Sequence, residues 1–166
     1  MTMRVGLGFD VHPFVEGRPL VLGGVTIADA PGLAGHSDAD VVAHAVADAL
    51  LGAAGLPDLG TLFPASEDAH RGASSVGFLA EIAVRLRAEG WTVVNVDVVI
   101  AAETPRLAPH LAAMAECVSG ALDPARHLSD RTVPVSVKPK RAEGLGAIGR
   151  AEGIAAWAVA LLERAA

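Results

Sequence analysis

The stretch His36-Ser37-Asp38-Ala39-Asp40-Val41-Val42-Ala43-His44-Ala45-Val46-Ala47-Asp48-Ala49-Leu50-Leu51-Gly52 decides the fold. Val41, Val42, Ala45, Val46, Ala49 and Leu50 recur at helical spacing, Ser37 or Asp38 can cap the start, and Gly52 ends the run, so the spacing predicts a helix. Its apolar face needs a second layer, and the flanking segments supply strands. Upstream, Met3 to Val11 reads as a strand, with Val5 and Leu7 alternating against Gly6 and Gly8, ending in Asp10-Val11-His12-Pro13. Leu20-Val21-Leu22 and Val25-Thr26-Ile27 flank Gly23-Gly24, the pattern of a β-hairpin. Downstream, a helix is predicted from Ser74 or Ser75 to Glu89, carrying Phe78, Leu79, Ile82, Val84 and Leu86 and stopped by Gly90. Trp91 to Ile100, rich in β-branched residues, reads as a buried strand. A Pro-bounded loop from Ala102 to Pro109 leads to a helix over about Ala108 to Ala121 and a strand over Val133 to Lys138. The chain then runs through the Gly-rich loop Pro139 to Gly149 into a closing helix, Gly153 to Leu162.

Helices and strands intermingle without a repeat or a separating linker, which predicts one domain over residues 1–166. The expected fold is α+β, an α/β sandwich in which a small mixed sheet carries helices on one face. Self-association is the natural cover for the other face. The chain is 52% hydrophobic but only 4% aromatic, with 18 glycines, so small side chains allow close packing. A net charge of −6 with no basic run excludes nucleic acid as a partner. The best apolar stretch is the ten residues Gly153 to Leu162, against about 20 for a spanning helix, so no membrane insertion is expected. The single Cys117 forms no intrachain disulfide and no leader pattern opens the chain, which points to a cytoplasmic protein.

Asp10 and His12 lie two apart on a strand, which turns both side chains to one face. On the first helix Asp40, His44 and Asp48 form a stripe among Val and Ala. Asp10, His12 and His44 make three ligands for zinc with the fourth position open, and Asp40 or Asp48 can orient the His44 ring. His36 and Ser37 at the helix start offer donors to an anion. Asp58 sits in a loop with Leu59 and Gly60, followed by an exposed Phe63-Pro64 pair, and can accept bonds from hydroxyls or cap its own turn. Lys138, Lys140, Arg141 and Arg150 bracket a glycine-rich loop bearing Glu143, a combination suited to phosphate and a second divalent ion. An open zinc binds phosphate or activates water, so a zinc-dependent hydrolase of a small phosphate ester is a competing reading.

The segments Gly6-Leu7-Gly8-Phe9-Asp10-Val11-His12, His36 through Ala53, Asp58-Leu59-Gly60 with Phe63-Pro64, Asn95-Val96-Asp97-Val98, Ala102 through His110, and Glu143-Gly144-Leu145-Gly146 with Gly149-Arg150 occur in one order. Together they resemble the 2-C-methyl-D-erythritol 2,4-cyclodiphosphate synthase family of the non-mevalonate isoprenoid pathway, over essentially the whole chain. The resemblance implies a homotrimer with the uncovered sheet face toward its centre and active sites between subunits. It implies one Zn²⁺ per site on Asp10, His12 and His44, and Mg²⁺ or Mn²⁺ on Glu143. The implied substrate is 4-diphosphocytidyl-2-C-methyl-D-erythritol 2-phosphate, whose 2-phosphate attacks the β-phosphorus and releases CMP. His36 and Arg141 take the catalytic positions. Asp10, His12, His36 and Ser37 are implied to meet phosphate, Asp58 with the Leu59-Gly60 backbone the erythritol hydroxyls, and Phe63 is a further implied substrate contact. Ala102, Arg106, Leu107 and Ala108 are implied to wrap the cytosine, while Lys140, Arg141, Ala142, Glu143, Ala147 and Arg150 complete the contacts. Two positions depart from the family pattern. Arg141 stands where a phosphate-binding Thr is usual, and Ala147 replaces an aromatic associated with an isoprenoid-diphosphate cavity on the trimer axis. A non-catalytic trimer binding isoprenoid diphosphates is a third reading, against which the intact Asp10, His12, His44 and Glu143 argue.

Overall fold

The computed structural model describes residues 1–64, 72–123 and 132–165. In chain order the elements are β1 (Thr2–Val15), β2 (Leu20–Leu22), β3 (Val25–Ile27), β4 (Gly32–Leu33), α1 (Val41–Ala54), α2 (Leu59–Leu62), α3 (Ser75–Ala88), β5 (Thr92–Ala101), a 3₁₀ turn (Ala108–His110), α4 (Leu111–Leu122), β6 (Val135–Lys140), α5 (Gly146–Gly149) and β7 (Gly153–Arg164). Five strands form a mixed sheet in the order β4-β1-β7-β5-β6, antiparallel throughout except for the parallel β5–β6 pair. Helices cover one face of it, with α1 against β1 and β7 and α4 against β6. This is the α+β arrangement the sequence predicts. Among the described residues no helix is long and apolar enough to cross a membrane.

The closing segment corrects the sequence reading, because Gly153 to Leu162 is not a helix but most of the central strand. Its alanines favour a helix by intrinsic propensity. Pairing with β1 on one side and β5 on the other satisfies its backbone along nearly the whole length and overrides that preference. Ala156, Ala158, Ala160 and Leu162 are buried while Trp157 and Val159 are exposed on the opposite face, a period of two. Smaller corrections follow from the same pairing. β1 continues to Val15, beyond the expected Val11, and β6 takes in Pro139 and Lys140 from the expected loop. Val84 of α3 is exposed rather than part of the apolar side.

The glycines of β1 face the helices. A Cβ at Gly6 would lie 2.0 Å from the Ala49 carbonyl oxygen, and one at Gly8 would lie 1.9 Å from that of Ala45, so α1 rests directly on the strand backbone. Val5 and Leu7 point the other way and are each 68% exposed. With Phe9, Val11, Trp157 and Val159 they form an apolar face that the described residues leave open, with the Phe9 and Trp157 rings 5.0 Å apart.

The cap of α1 is Asp40, not Ser37 or Asp38. Its fully buried carboxylate accepts bonds from Val42 N (3.1 Å) and Ala43 N (3.0 Å) of the helix and from Gly23 N (2.8 Å) and Gly24 N (2.7 Å) of the β2–β3 turn. That turn has positive φ at both glycines, as a tight hairpin requires. Burial pushes the Asp40 carboxyl up in pKa, and the N–H groups of Ala43, Gly24 and Gly23 oppose this. Asp40→Ala leaves the helix start uncapped and two turn amides without an acceptor. It is expected to destabilise the protein by about 2–4 kcal/mol in urea unfolding.

Candidate active site

Asp10 and His12 project from the same face of β1, and His44 from the first turns of α1, which the glycine contact seats against that strand. Asp10 Oδ2 lies 2.9 Å from His12 Nε2 and 2.9 Å from His44 Nδ1, and the two ring nitrogens are 3.3 Å apart. Ligands about 2.0–2.1 Å from one ion in a tetrahedron lie about 3.3 Å from one another. Two imidazoles and a carboxylate in such a triangle are a donor set that fits a divalent metal with one position open, and these three residues could hold one. Burial raises the Asp10 pKa, but hydrogen bonds and charge from His12 and His44 outweigh it and hold the carboxyl well below the usual range. The bond to Asp10 pushes His12 up, against the effect of burial.

This triangle opens into a pocket of about 280 Å³ that His36, Ser37, Asp48, Leu59, Gly60, Phe63 and Phe78 also line. His36 Nε2 is buried and has no hydrogen-bond partner among the described residues. Its backbone carbonyl accepts from Gly72 N, and the α1 cap lies four residues further on, so His36 does not sit at the helix start as the sequence suggested. Neither helix carboxylate touches the His44 ring by a hydrogen bond. Asp40 points into the cap, while Asp48 lines the pocket and accepts from Leu59 N at 2.9 Å, anchoring the Leu59-Gly60 segment. Burial raises the Asp48 pKa. The partners of His44 Nε2 are instead the hydroxyls of Ser75 (2.9 Å) and Ser37 (3.1 Å). Phe63 is nearly buried, not exposed, and stacks on Phe78 with centroids 4.5 Å apart. Asp58 is exposed and caps α2 through Thr61 N at 2.8 Å.

A second pocket, of about 410 Å³, lies where β5 and β6 end side by side. Ala102, Arg106, Leu107, Ala108, Lys140 and Arg141, all singled out in the sequence, line it together with Glu103, Pro105 and Pro139. The four cations around the Gly-rich loop do not converge. Lys138 pairs with Asp97, Arg150 with Glu152 at 2.7 Å, and Arg141 with Glu103, its Nε 3.0 Å from Oε1. Ala142, Glu143, Ala147 and Arg150 line neither pocket, and Glu143 adopts φ +53 at an exposed turn. The register places Val11 beside Ala155, Ala155 beside Ala101 and Ala101 beside Lys140, so both pockets open at the same end of the sheet, formed by separate residues.

Ser75, Arg18 and Glu103 escaped the sequence reading. Ser75 sits beside a residue that reads as an ordinary helix cap. Arg18, in a loop before the hairpin, donates to the carbonyls of Gly35 and Ser37 and so ties down the segment carrying His36. Glu103 had one available signal, a lone acid inside a Pro-bounded loop near a basic one.

The chain matches the model of the YgbB family over residues 3–163. It is 54% identical over 165 residues to a Bordetella bronchiseptica protein named 2-C-methyl-D-erythritol 2,4-cyclodiphosphate synthase, covering 99% of this chain and 98% of that one. Among solved structures it resembles the bifunctional IspDF of Campylobacter jejuni, with a TM-score of 0.88 and 38% identity, covering 99% of this chain and 43% of that longer one. It also resembles the CDP complex of IspF from Plasmodium falciparum, with a TM-score of 0.80, 30% identity and coverage of 99% and 97%.

Proposed function

The chain belongs to the YgbB family of 2-C-methyl-D-erythritol 2,4-cyclodiphosphate synthases and is an enzyme of non-mevalonate isoprenoid biosynthesis, and on that premise we propose how its residues carry out the reaction. The substrate is 4-diphosphocytidyl-2-C-methyl-D-erythritol 2-phosphate. An oxygen of its 2-phosphate forms a bond to the β-phosphorus, the bond from that phosphorus to the CMP oxygen breaks, and the cyclic diphosphate and CMP leave. Both reacting groups are anions on one molecule, so the protein's task is alignment and charge neutralisation rather than making a strong nucleophile. The observation that carries this reading is the Asp10-His12-His44 triangle opening into a pocket that His36 and Ser37 line.

Asp10, His12 and His44 would hold Zn²⁺, and Glu143 would hold Mg²⁺ or Mn²⁺. When bound, these ions supply positive charge where the phosphates converge. His36 Nε2, without a hydrogen-bond partner among the described residues, is suited to donate to the transferring phosphate beside Ser37. Asp58 with Leu59 and Gly60 receives the erythritol hydroxyls, while Phe63 stacked on Phe78 gives that wall a rigid apolar backing. The second pocket takes the cytosine, in keeping with the CDP bound to the Plasmodium falciparum relative. Ala102 and the Arg106-Leu107-Ala108 segment offer backbone groups to the base. The Lys140-Arg141-Ala142 turn faces the phosphates, and Arg150 and Ala147 lie at the far end of the same loop.

The two pockets share no residue, and the open apolar face bearing Val5, Leu7, Phe9 and Trp157 calls for a cover. A homotrimer of this single domain, packed through that face, sets the metal pocket of one subunit beside the nucleotide pocket of its neighbour. Arg141, at the mouth of the second pocket, retains donors beyond the bond to Glu103 and presents them as a planar fork to a phosphate. Arg141→Ala is expected to lower kcat at least about tenfold, as loss of a charge that stabilises the transition state does. The Arg141 side chain is 67% exposed, so the fold should persist with little change in its melting. Steady-state kinetics and a thermal melt test this together, and an unchanged kcat makes Arg141 a bystander.

A further inference from the structure

We propose that Ser75 is a positioning residue of the metal centre, relaying the carboxylate of Asp38 to the ring of His44. The inference rests on the reading of Asp10, His12 and His44 as metal ligands. His44 Nδ1 lies on the ligand side, 2.9 Å from Asp10 Oδ2, and Nε2 faces away, 2.9 Å from Ser75 Oγ and farther, at 3.1 Å, from Ser37 Oγ. An imidazole that gives its Nδ1 lone pair to a metal carries its proton on Nε2. Nε2–H then donates to Ser75 Oγ, and the Ser75 hydroxyl donates to Asp38 Oδ1. Ser37 Oγ, 3.1 Å from Ser75 Oγ, fills the remaining lone pair. One hydroxyl is thereby used in full, as one donor and two acceptors.

Asp38 is itself held. Its Oδ2 accepts from Ser75 N at 3.0 Å, its Oδ1 accepts from Asp40 N at 3.3 Å, and its own N–H donates to Ala73 O at 3.1 Å. Ser75 is 1% exposed, so water has little access to stand in for the hydroxyl. The arrangement places a fixed negative charge one hydroxyl behind a metal-binding imidazole, which fixes the plane of the ring and makes Nδ1 the better ligand. The hydroxyl is separable from the local folding role. Ser74, at the cap position of α3, makes no side-chain capping bond, and Asp38 substitutes for it through the Ser75 backbone N–H, which a change to Ala preserves.

The test compares zinc affinity of the full-length wild type, Ser75→Ala and Asp38→Asn, by competition with a chromophoric chelator. Each variant is expected to bind zinc about ten- to a hundredfold more weakly. In the zinc-loaded wild type the His44 Nε2–H proton should be protected from solvent exchange by NMR, and in Ser75→Ala, where only the more distant Ser37 hydroxyl remains, that protection should fall. A wild type that takes up no zinc overturns the ligand assignment and the relay with it. A wild type that binds zinc beside a Ser75→Ala protein of equal affinity and equal protection overturns the relay alone. Should Ser75→Ala fail to fold, Asp38→Asn decides by the same two measurements.

Discussion

His44→Ala is expected to empty the metal centre and to reduce turnover by more than about a hundredfold while the fold persists. On the proposed assignment the site has three protein ligands, and removing one leaves Asp10 and His12, too few to retain an ion that ordinarily has three or four. The fold has little stake in the ring. The buried surface of α1 is carried by Val41, Val42, Ala45, Val46, Ala49 and Leu50, while His44 faces the pocket, and Ala is the best helix former. Elemental analysis of the purified variant, beside its circular dichroism spectrum and turnover, checks all three parts. Zinc content equal to that of the wild type means that His44 is not a ligand.

Gly8→Ala is expected to cost about 3 kcal/mol or more and to lower the thermal midpoint by roughly 10 °C. The added Cβ would lie 1.9 Å from the Ala45 carbonyl oxygen and 2.7 Å from the Ala49 amide nitrogen, both backbone atoms that no rotamer change can move aside. Relief requires α1 to lift from β1. Those two elements carry His44 on one side and Asp10 and His12 on the other, so the same lift opens the ligand triangle. Metal affinity should therefore fall together with stability in a thermal melt and a chelator titration. A Gly8→Ala protein that melts and binds metal like the wild type would show that the strand and helix are not in this contact.

The same contact explains what the sequence made legible. The helical run of Val, Ala and Leu around His44, the Gly23-Gly24 turn and the β-branched segment before Ala101 each carry their structure in local pattern, and the fold places them as read. Asp10 and His12 at a period of two, with His44 on the following helix, likewise announced three side chains that the fold brings together. The β7 segment misled because alanine answers to two demands. Ala156, Ala158 and Ala160 are small so that α1 can approach a central strand, and single-segment propensity reads that smallness as helix. The partners of His44 stayed hidden for another reason. Spacing nominated Asp40 and Asp48, which share its helix stripe, whereas the groups that touch Nε2 come from a loop and from α3, 31 positions away at Ser75. Long-range hydrogen bonds of this kind leave no period in a sequence. Phe63 looked exposed beside Pro64 because nothing local announces its stack on Phe78.

The central claim is that metal held at Asp10, His12 and His44 aligns two phosphates of one substrate so that they close a ring. Phosphorus NMR of the products from 4-diphosphocytidyl-2-C-methyl-D-erythritol 2-phosphate, with and without a chelator, tests it most directly. The account predicts a cyclic diphosphate and CMP in equal amounts, and no product once the metal is removed. An open bisphosphate released with CMP, or cyclisation that continues undiminished in the chelator, would contradict it.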